Sequence, residues 1–425
     1  MHWLTIIADD LTGAADAASR CVQAGLRAAI LLDASTLQTG ESPVLALSTD
    51  SRHLTADAAA RRVQAAISAA TAKGAAAGTF SGQWYKKIDS TLRGNLGAEI
   101  DAALTLLTPP SRQPCALIAP AFPAQGRGLE QGFLVHGETP PGAVHLPTRL
   151  REQSTRPQAL IPLAAVRAGL DPLCAAIRTA RDHGAELLAA DAMTEPDLAR
   201  LLAAMRRVAP TALLCGSAGL VGVVARQLAV TQPTTHGPAP DADALLPCRR
   251  LLFVVGSGSA MARQQMDALI ATGEVAVQVV NDPATTSVSA AAGHALLCLP
   301  RPEPHVALDG PAARRLATQL ARVALSVLAA HPVDGGAVDG SALVDGIMPV
   351  DGIVLVGGDT AMHVLSDLGV SHLTVHRELL PGMPLASAHR PDGSRLTVVL
   401  KAGNHGDPGT LVALETMLSS TGNER

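Results

Sequence analysis

Short apolar runs alternate with alanine-rich amphipathic segments along this chain, and that alternation leaves few architectures open. Trp3–Ala8, Ala28–Leu32, Val44–Ser48, Trp84–Ile88 and Cys115–Pro120 are each five or six residues long, too short for helices and suited to buried strands. The segments between them, such as Ala14–Ala24 and Thr55–Ala72, carry Ala, Arg and Gln in helical patterns, with Gly25 and Gly74 where helix C-caps belong. Strand and helix in steady alternation predict an α/β fold, a mainly parallel sheet covered by helices.

At 425 residues the chain is long enough for two or three domains. The clearest seam is Thr231 to Arg249, which holds four prolines and no apolar periodicity and reads as a linker. Domains are therefore expected at 1–230 and 250–425, each a helix-covered sheet, with the active site in the cleft between them. A second stretch, Val333 to Asp351, repeats Val-Asp-Gly at 333–335, 338–340 and 344–346, and a fourth copy stands at 350–352. The uneven spacing reads as an accreted loop.

Composition narrows the function. Hydrophobic residues at 48% and charged residues at 16% supply a core and argue against a disordered or coiled-coil chain. A net charge of -4 and 2% aromatic residues disfavour polyanion coating and base stacking, so no nucleic-acid partner is expected. The six cysteines show no CxxC pairing and read as buried thiols in a reducing compartment. The start of the chain lacks a basic segment and meets Asp9 and Asp10 early, unlike a signal peptide. The longest near-apolar stretch, Ala212 to Ala225, is too short to span a bilayer. A cytoplasmic protein without a membrane partner is expected, with a homodimer as the base-rate oligomer.

In the second half a glycine-containing loop follows a strand and precedes a helix three times. Leu251–Val255 leads to Gly256-Ser257-Gly258-Ser259, Ile353–Val356 to Gly357-Gly358-Asp359-Thr360, and Leu396–Leu400 to Lys401-Ala402-Gly403-Asn404-His405-Gly406-Asp407. Glycine lets backbone N–H groups approach a ligand, and the following helix N-terminus adds partial positive charge, so each loop can cradle phosphate. GxxxxGK[ST] and GxGxxG are both missing, which argues against the commonest nucleotide folds and against a nicotinamide-dependent dehydrogenase.

The first half gathers charge and hydroxyls at strand ends: Asp9-Asp10, then Asp50-Ser51-Arg52, then Lys86 to Asn95, then Pro120 to Arg127. Open α/β sheets bind ligands there. Arg and Lys suit a carboxylate or phosphate, and Asp accepts from hydroxyls, so the set fits a small polyhydroxylated anion. A solute-binding protein would share such residues but would need an export signal.

At these residues the chain resembles a known family. ADDLTGA at 8–14, STDSR at 48–52, KKIDSTLRGN at 86–95, APAFPAQGR at 119–127, GSAGL at 216–220, VGGDTA at 356–361, LLPGMPL at 379–385 and KAGNHGD at 401–407 are similar to motifs of the four-carbon acid sugar kinases, in that family's order and nearly end to end. The resemblance implies ATP-dependent phosphorylation of the terminal hydroxyl of D-threonate, D-erythronate or an oxo-tetronate, with a mild lean to the first two. It implies an acid-sugar domain first and an ATP domain second. The substrate residues it points to are Asp9, Asp10, Arg52, Lys86, Lys87, Asp89, Ser90 and Arg93. The nucleotide residues are Ser257, Gly357, Gly358, Asp359, Thr360, Gly403 and Asn404. Mg2+ should accompany ATP, with Asp359 or an acid of the first loop near it. His405 departs from the phenylalanine common in the family.

The proton acceptor is expected among Asp9, Asp10 and Asp89. Asp10 has a competing use as an N-cap, and Asp89 is flanked by Lys86, Lys87 and Arg93, which should weaken it as a base. Asp9 is then favoured, with Asp10 close behind. Arg52, with Lys86 or Lys87, is expected to neutralise the substrate carboxylate.

Overall fold

The structure, a computed structural model, describes residues 2–34, 42–76, 80–136, 144–231, 247–280, 293–300, 310–330 and 350–420. It separates into two compact units, Met1–Gly237 and Pro238–Arg425. Most of the expected linker, and the first three Val-Asp-Gly copies, lie outside the described residues.

The first unit holds strands β1 (His2–Ala8), β2 (Ala28–Leu31), β3 (Val44–Ser48), β4 (Phe80–Lys87), β5 (Ala116–Ala119), β6 (Arg127–Glu130), β7 (Phe133–His136), β8 (Gln158–Ile161), β9 (Leu187–Ala190) and β10 (Leu213–Gly216). Its helices are α1 (Leu11–Gln23), α2 (Ala56–Ala76), α3 (Leu96–Leu107), α4 (Leu146–Gln153), α5 (Leu163–Arg167), α6 (Leu170–Asp182), α7 (Glu195–Val208) and α8 (Ala218–Thr231). Eight strands run parallel in the order β2-β3-β1-β4-β10-β5-β9-β8, and β6–β7 form a separate antiparallel hairpin. Both faces of the parallel sheet are covered, so its strands are apolar without alternation: Val44–Ser48 and Ala116–Ala119 are buried throughout. Ile7, Leu47, Val63, Ile88, Ile100 and Ile118 share one core cluster. Each such side chain contributes roughly 1.5–3 kcal/mol by leaving water.

The second unit holds β11 (Leu251–Val255), β12 (Val275–Val279), β13 (His294–Cys298), β14 (Gly352–Val356), β15 (His372–Leu380), β16 (Met383–His389) and β17 (Arg395–Lys401), with α9 (Ala260–Ala271), α10 (Gly310–Ala330), α11 (Gly358–Asp367) and α12 (Thr410–Ser419). The order is β12-β13-β11-β14-β17-β16-β15, parallel as far as β17 and antiparallel beyond it. Phe253, Val255, Leu296, Val354, Val399 and Leu414 form its core.

Two local expectations change, at Gly74 and at the fourth Val-Asp-Gly copy. Helix α2 runs through Gly74 to Ala76, so Gly74 is no cap. LLPGMPL forms the turn of the antiparallel β15–β16 hairpin, where Gly382 takes a φ of +74 that suits glycine. The fourth Val-Asp-Gly copy is no loop. Val350 is fully buried, the Asp351 carboxylate accepts from the N–H groups of Arg249 and Arg250 at 2.8 and 3.0 Å, and Gly352 opens β14. Repetition in sequence concealed a residue that locks two adjacent strands together.

Candidate functional site

Strand order assembles the first cluster. β3, β1, β4, β10 and β5 are consecutive neighbours, so their C-terminal ends bring STDSR, ADD, KKIDS, GSAGL and APAFP side by side. At the centre lies Arg52. Its Nε and Nη2 donate to the two oxygens of Asp9 at 2.7 and 2.9 Å, while Nη1 and Nη2 donate to those of Asp10 at 2.6 and 2.8 Å. Four of its five N–H groups are thus engaged, and one on Nη1 remains. Asp10 also caps α1, accepting from the Gly13 N–H at 2.8 Å. Burial alone would raise the Asp9 carboxyl, but the charge and hydrogen bonds of Arg52, helped by Lys86 and Lys87, hold it below the usual carboxylate value. The electrostatic objection raised against Asp89 as a base therefore applies to Asp9 as well.

The two lysines of KKIDS part company, because successive side chains in a strand point to opposite faces. Lys86 lies on the α3 side of the sheet. It is fully buried and pairs with Glu99 of α3 at 2.7 Å, its remaining donors directed to the carbonyls of Ile7 and Lys87. Glu99 also accepts from Ser51, which is bonded to Thr49. Lys86, expected as a substrate ligand, is thus engaged by Glu99 and two carbonyls on the α3 side of the sheet. Glu99 had no motif to announce it; the signal available was that a lysine inside a buried strand requires a counter-ion.

Lys87 faces α1. Its Nζ donates to the Ile88 carbonyl at 3.1 Å and has no carboxylate within ion-pair distance among the described residues. A Cβ on Gly13 would stand 3.2 Å from that nitrogen, so glycine here lets the ammonium lie across the first turn of α1.

The loop after β4 is strained and tied. Leu92, fully buried, takes a φ of +60, a region that an ordinary side chain rarely enters. Asp89 accepts from Thr91 and, at 2.8 and 3.0 Å, from Arg93. Burial opposes its ionisation, yet the Arg93 hydrogen bonds and the charges of Arg52 and Arg93 hold it well below the usual range. A Cβ on Gly94 would lie 3.3 Å from the Asp9 carboxylate, which places this loop against the Asp9–Arg52 pair. Ser90 accepts from Arg127 at 2.8 Å. Arg127 lacks a carboxylate partner among the described residues, and burial lowers its pKa.

In the second unit β11, β14 and β17 are neighbours, so the three glycine loops converge. The Gly357 N–H donates to the Lys401 carbonyl at 2.9 Å, and Ser259 to the Gly403 carbonyl at 2.7 Å. A Cβ on Gly256 would overlap Thr360, and one on Gly403 would overlap Ser257. Gly357, with a φ of +110, precedes α11, whose first turn carries Gly358, Asp359 and Thr360. Ser257, Gly357 to Thr360, Gly403 and Asn404 thus belong to one convergent set of loops. Lys401 closes β17 fully buried, its Nζ donating to the Ala402 carbonyl, and burial lowers its pKa to about 8.

A cavity of about 440 Å³ lies toward the other ends of the first unit's strands, lined by Trp3, Trp84, Leu213 and Arg206 and apart from these charged groups. No group of three metal-ligating side chains occurs among the described residues. No helix among them is long and apolar enough to cross a membrane.

Carboxylates and cations gathered on one α/β unit, with glycine loops ahead of helix N-termini on another, are the arrangement a small-molecule kinase requires. Comparison with known proteins agrees. Residues 4–224 match the family model of a sugar-binding N-terminal domain, and residues 252–411 that of a nucleotide-binding C-terminal domain. The chain is 32% identical to D-threonate kinase of Bordetella bronchiseptica over 96% of both chains. It is 33% identical to D-erythronate kinase of Heliobacterium modesticaldum over 63% of this chain and 60% of that one. A solved Salmonella typhimurium LT2 structure shares the fold with a TM-score of 0.72 at 22% identity, covering 99% of this chain and 100% of the other. The chain belongs to the four-carbon acid sugar kinase family.

Proposed function

We propose that this protein transfers the γ-phosphoryl group of ATP to the terminal hydroxyl of a four-carbon sugar acid, D-threonate or D-erythronate ahead of an oxo-tetronate. The observation that carries the reading is the Asp9–Arg52–Asp10 cluster beside Lys87, whose ammonium has no carboxylate partner among the described residues. Arg52, oriented by both carboxylates, offers its remaining N–H to the substrate carboxylate, with Arg93 on the rim. Asp9 and Asp10 keep lone pairs for substrate hydroxyls. Lys87 and Arg127 are the cations left to stabilise charge on the transferring phosphoryl group. Ser257, Gly357 to Thr360, Gly403 and Asn404 supply backbone and hydroxyl donors to ATP.

Magnesium, when bound, would neutralise charge on the ATP phosphates. The residues present fit an ion carried mainly by phosphate and water, which needs only one or two protein carboxylates, and Asp359 in the first turn of α11 is the one we assign.

The test is an ATP-consumption screen over D-threonate, D-erythronate, their stereoisomers and the oxo-tetronates, together with thermal shift by Mg-ATP against NAD. Turnover with a four-carbon acid and a larger shift with Mg-ATP support the reading. No turnover with any of them, or a larger shift with NAD, overturns it.

A further inference from the structure

One acidic residue of the first unit has no part in the cluster so far described. Asp16 lies on α1 at 7% exposure, and its Oδ1 is shielded from solvent without a hydrogen-bond partner. Its nearest cation, Arg20 one turn on, stands 4.0 Å away, an ion-pair distance without a hydrogen bond. Gly13 and Asp16, three residues apart on α1, are neighbours on one face of the helix, and the Lys87 ammonium lies across that face at Gly13. The charged groups acting on Asp16 come from three elements: Lys87 at the end of β4, Arg20 and Asp10 on or capping α1, and Arg127 of β6. Three of these four belong to the proposed substrate site.

We propose that Asp16 is the catalytic base, accepting the proton of the sugar's terminal hydroxyl as its oxygen attacks the γ-phosphorus. In that step the new O–P bond forms as the bond from phosphorus to the β,γ-bridging oxygen breaks. The proton passes to the Asp16 carboxylate, and ADP leaves with the electron pair. The assignment deepens the proposed function and rests on it. Three features favour Asp16 over Asp9 and Asp10. Those two are committed to Arg52 through four hydrogen bonds, and Asp10 to a helix cap as well. Asp16 is not tied up in this way, since its one close cation, Arg20, stands at 4.0 Å without a hydrogen bond. Burial also raises its pKa, against the lowering by Lys87 and Arg20, which makes it a stronger proton acceptor than Asp9, whose carboxyl Arg52 holds low.

The experiment compares wild type, Asp16→Asn and Asp16→Glu as full-length chains, using ATP and whichever four-carbon acid the wild type phosphorylates. Asp16→Asn should bind both ligands by calorimetry and melt no lower than wild type at neutral pH, since a carboxyl with a raised pKa costs stability when ionised. Its kcat should fall about 10²–10⁴-fold with little change in either KM. Asp16→Glu should recover part of that loss. In wild type, kcat/KM should decline on the acid side with an apparent pKa above 3.8, and that limb should vanish in Asp16→Asn. Near-wild-type kcat in a folded Asp16→Asn protein, or a loss confined to KM, overturns the assignment. So does a wild-type profile without an acid limb above 3.8, a measurement that needs no variant to fold. Absence of wild-type turnover with every acid overturns the proposed function first, and this assignment with it.

Discussion

Gly403 and Ser257, on loops 146 residues apart in sequence, touch so closely that a methyl group on the glycine would overlap the serine hydroxyl. The contact fixes the β17 loop against the β11 loop, and the Ser259 bond to the Gly403 carbonyl holds it there. The nucleotide loops therefore form one surface through missing side chains as much as through donors.

Gly403→Ala should raise the KM for ATP by about tenfold or more, since a displacement near 1 Å at a positioning loop can cost about 10²-fold. Sugar-acid binding, measured by calorimetry, should be unchanged. Because overlap with Ser257 is the cause, adding Ser257→Gly should recover the melting temperature lost by Gly403→Ala. A double variant no more stable than the single one would show that the clash lies elsewhere.

Arg52 is the sole bridge between Asp9 and Asp10 among the described residues. Removing it leaves two buried carboxylates facing one another, so Arg52→Ala should cost about 3–5 kcal/mol in urea unfolding and raise the KM for the sugar acid. Arg52→Lys keeps the charge and loses the fork, so it should fall between the two. Equal stability in all three proteins would contradict this geometry.

Lys86 and Glu99 are predicted to be structural. Glu99→Ala alone should destabilise by about 3–5 kcal/mol, because it strands a buried ammonium. Lys86→Met with Glu99→Leu should recover most of that loss and keep the KM for ATP close to wild type. A double variant as unstable as Glu99→Ala would mean that the pair is needed for more than mutual neutralisation.

Lys401 contributes a pH dependence to the second unit. Its folded pKa is about 8, below the ordinary 10.5. Between those values the unfolded chain holds a proton that the folded chain has released, so stability rises with pH across that window, and the cost of the buried charge is full below about 8. Lys401→Met should therefore be more stable at pH 7, by about 1–3 kcal/mol, with the gain shrinking as pH rises toward 10.5. If the ammonium serves ATP phosphates, the same variant should show a raised KM for ATP. Denaturation at pH 7 and pH 10 with ATP titration checks both parts.

Much of the site was legible because its chemistry is local. Each loop that follows a strand carries its own donors and acceptors, so Asp10 as a cap and the three glycine loops could be read from neighbours in sequence. Asp16 was not legible: it sits in an alanine-rich helix and looks like an ordinary solvated residue. Glu99 is similar, an acid in the first turn of a helix, where acids are common.

The sequence by itself determined the α/β alternation, the two halves and the residue types at each strand end, because strand and helix periodicity and turn chemistry act over a few residues. Only the tertiary structure decided which of two adjacent lysines faces α1. A strand sends neighbouring side chains to opposite faces, and nothing local says which face will hold α1 and which α3. The same holds for Arg52, whose fork is filled by carboxylates 42 and 43 residues away, and for Asp16, which gains its environment when β4 and β6 bring Lys87 and Arg127 toward α1. Burial and partnership are set by which elements become neighbours, and strand order is a property of the whole chain.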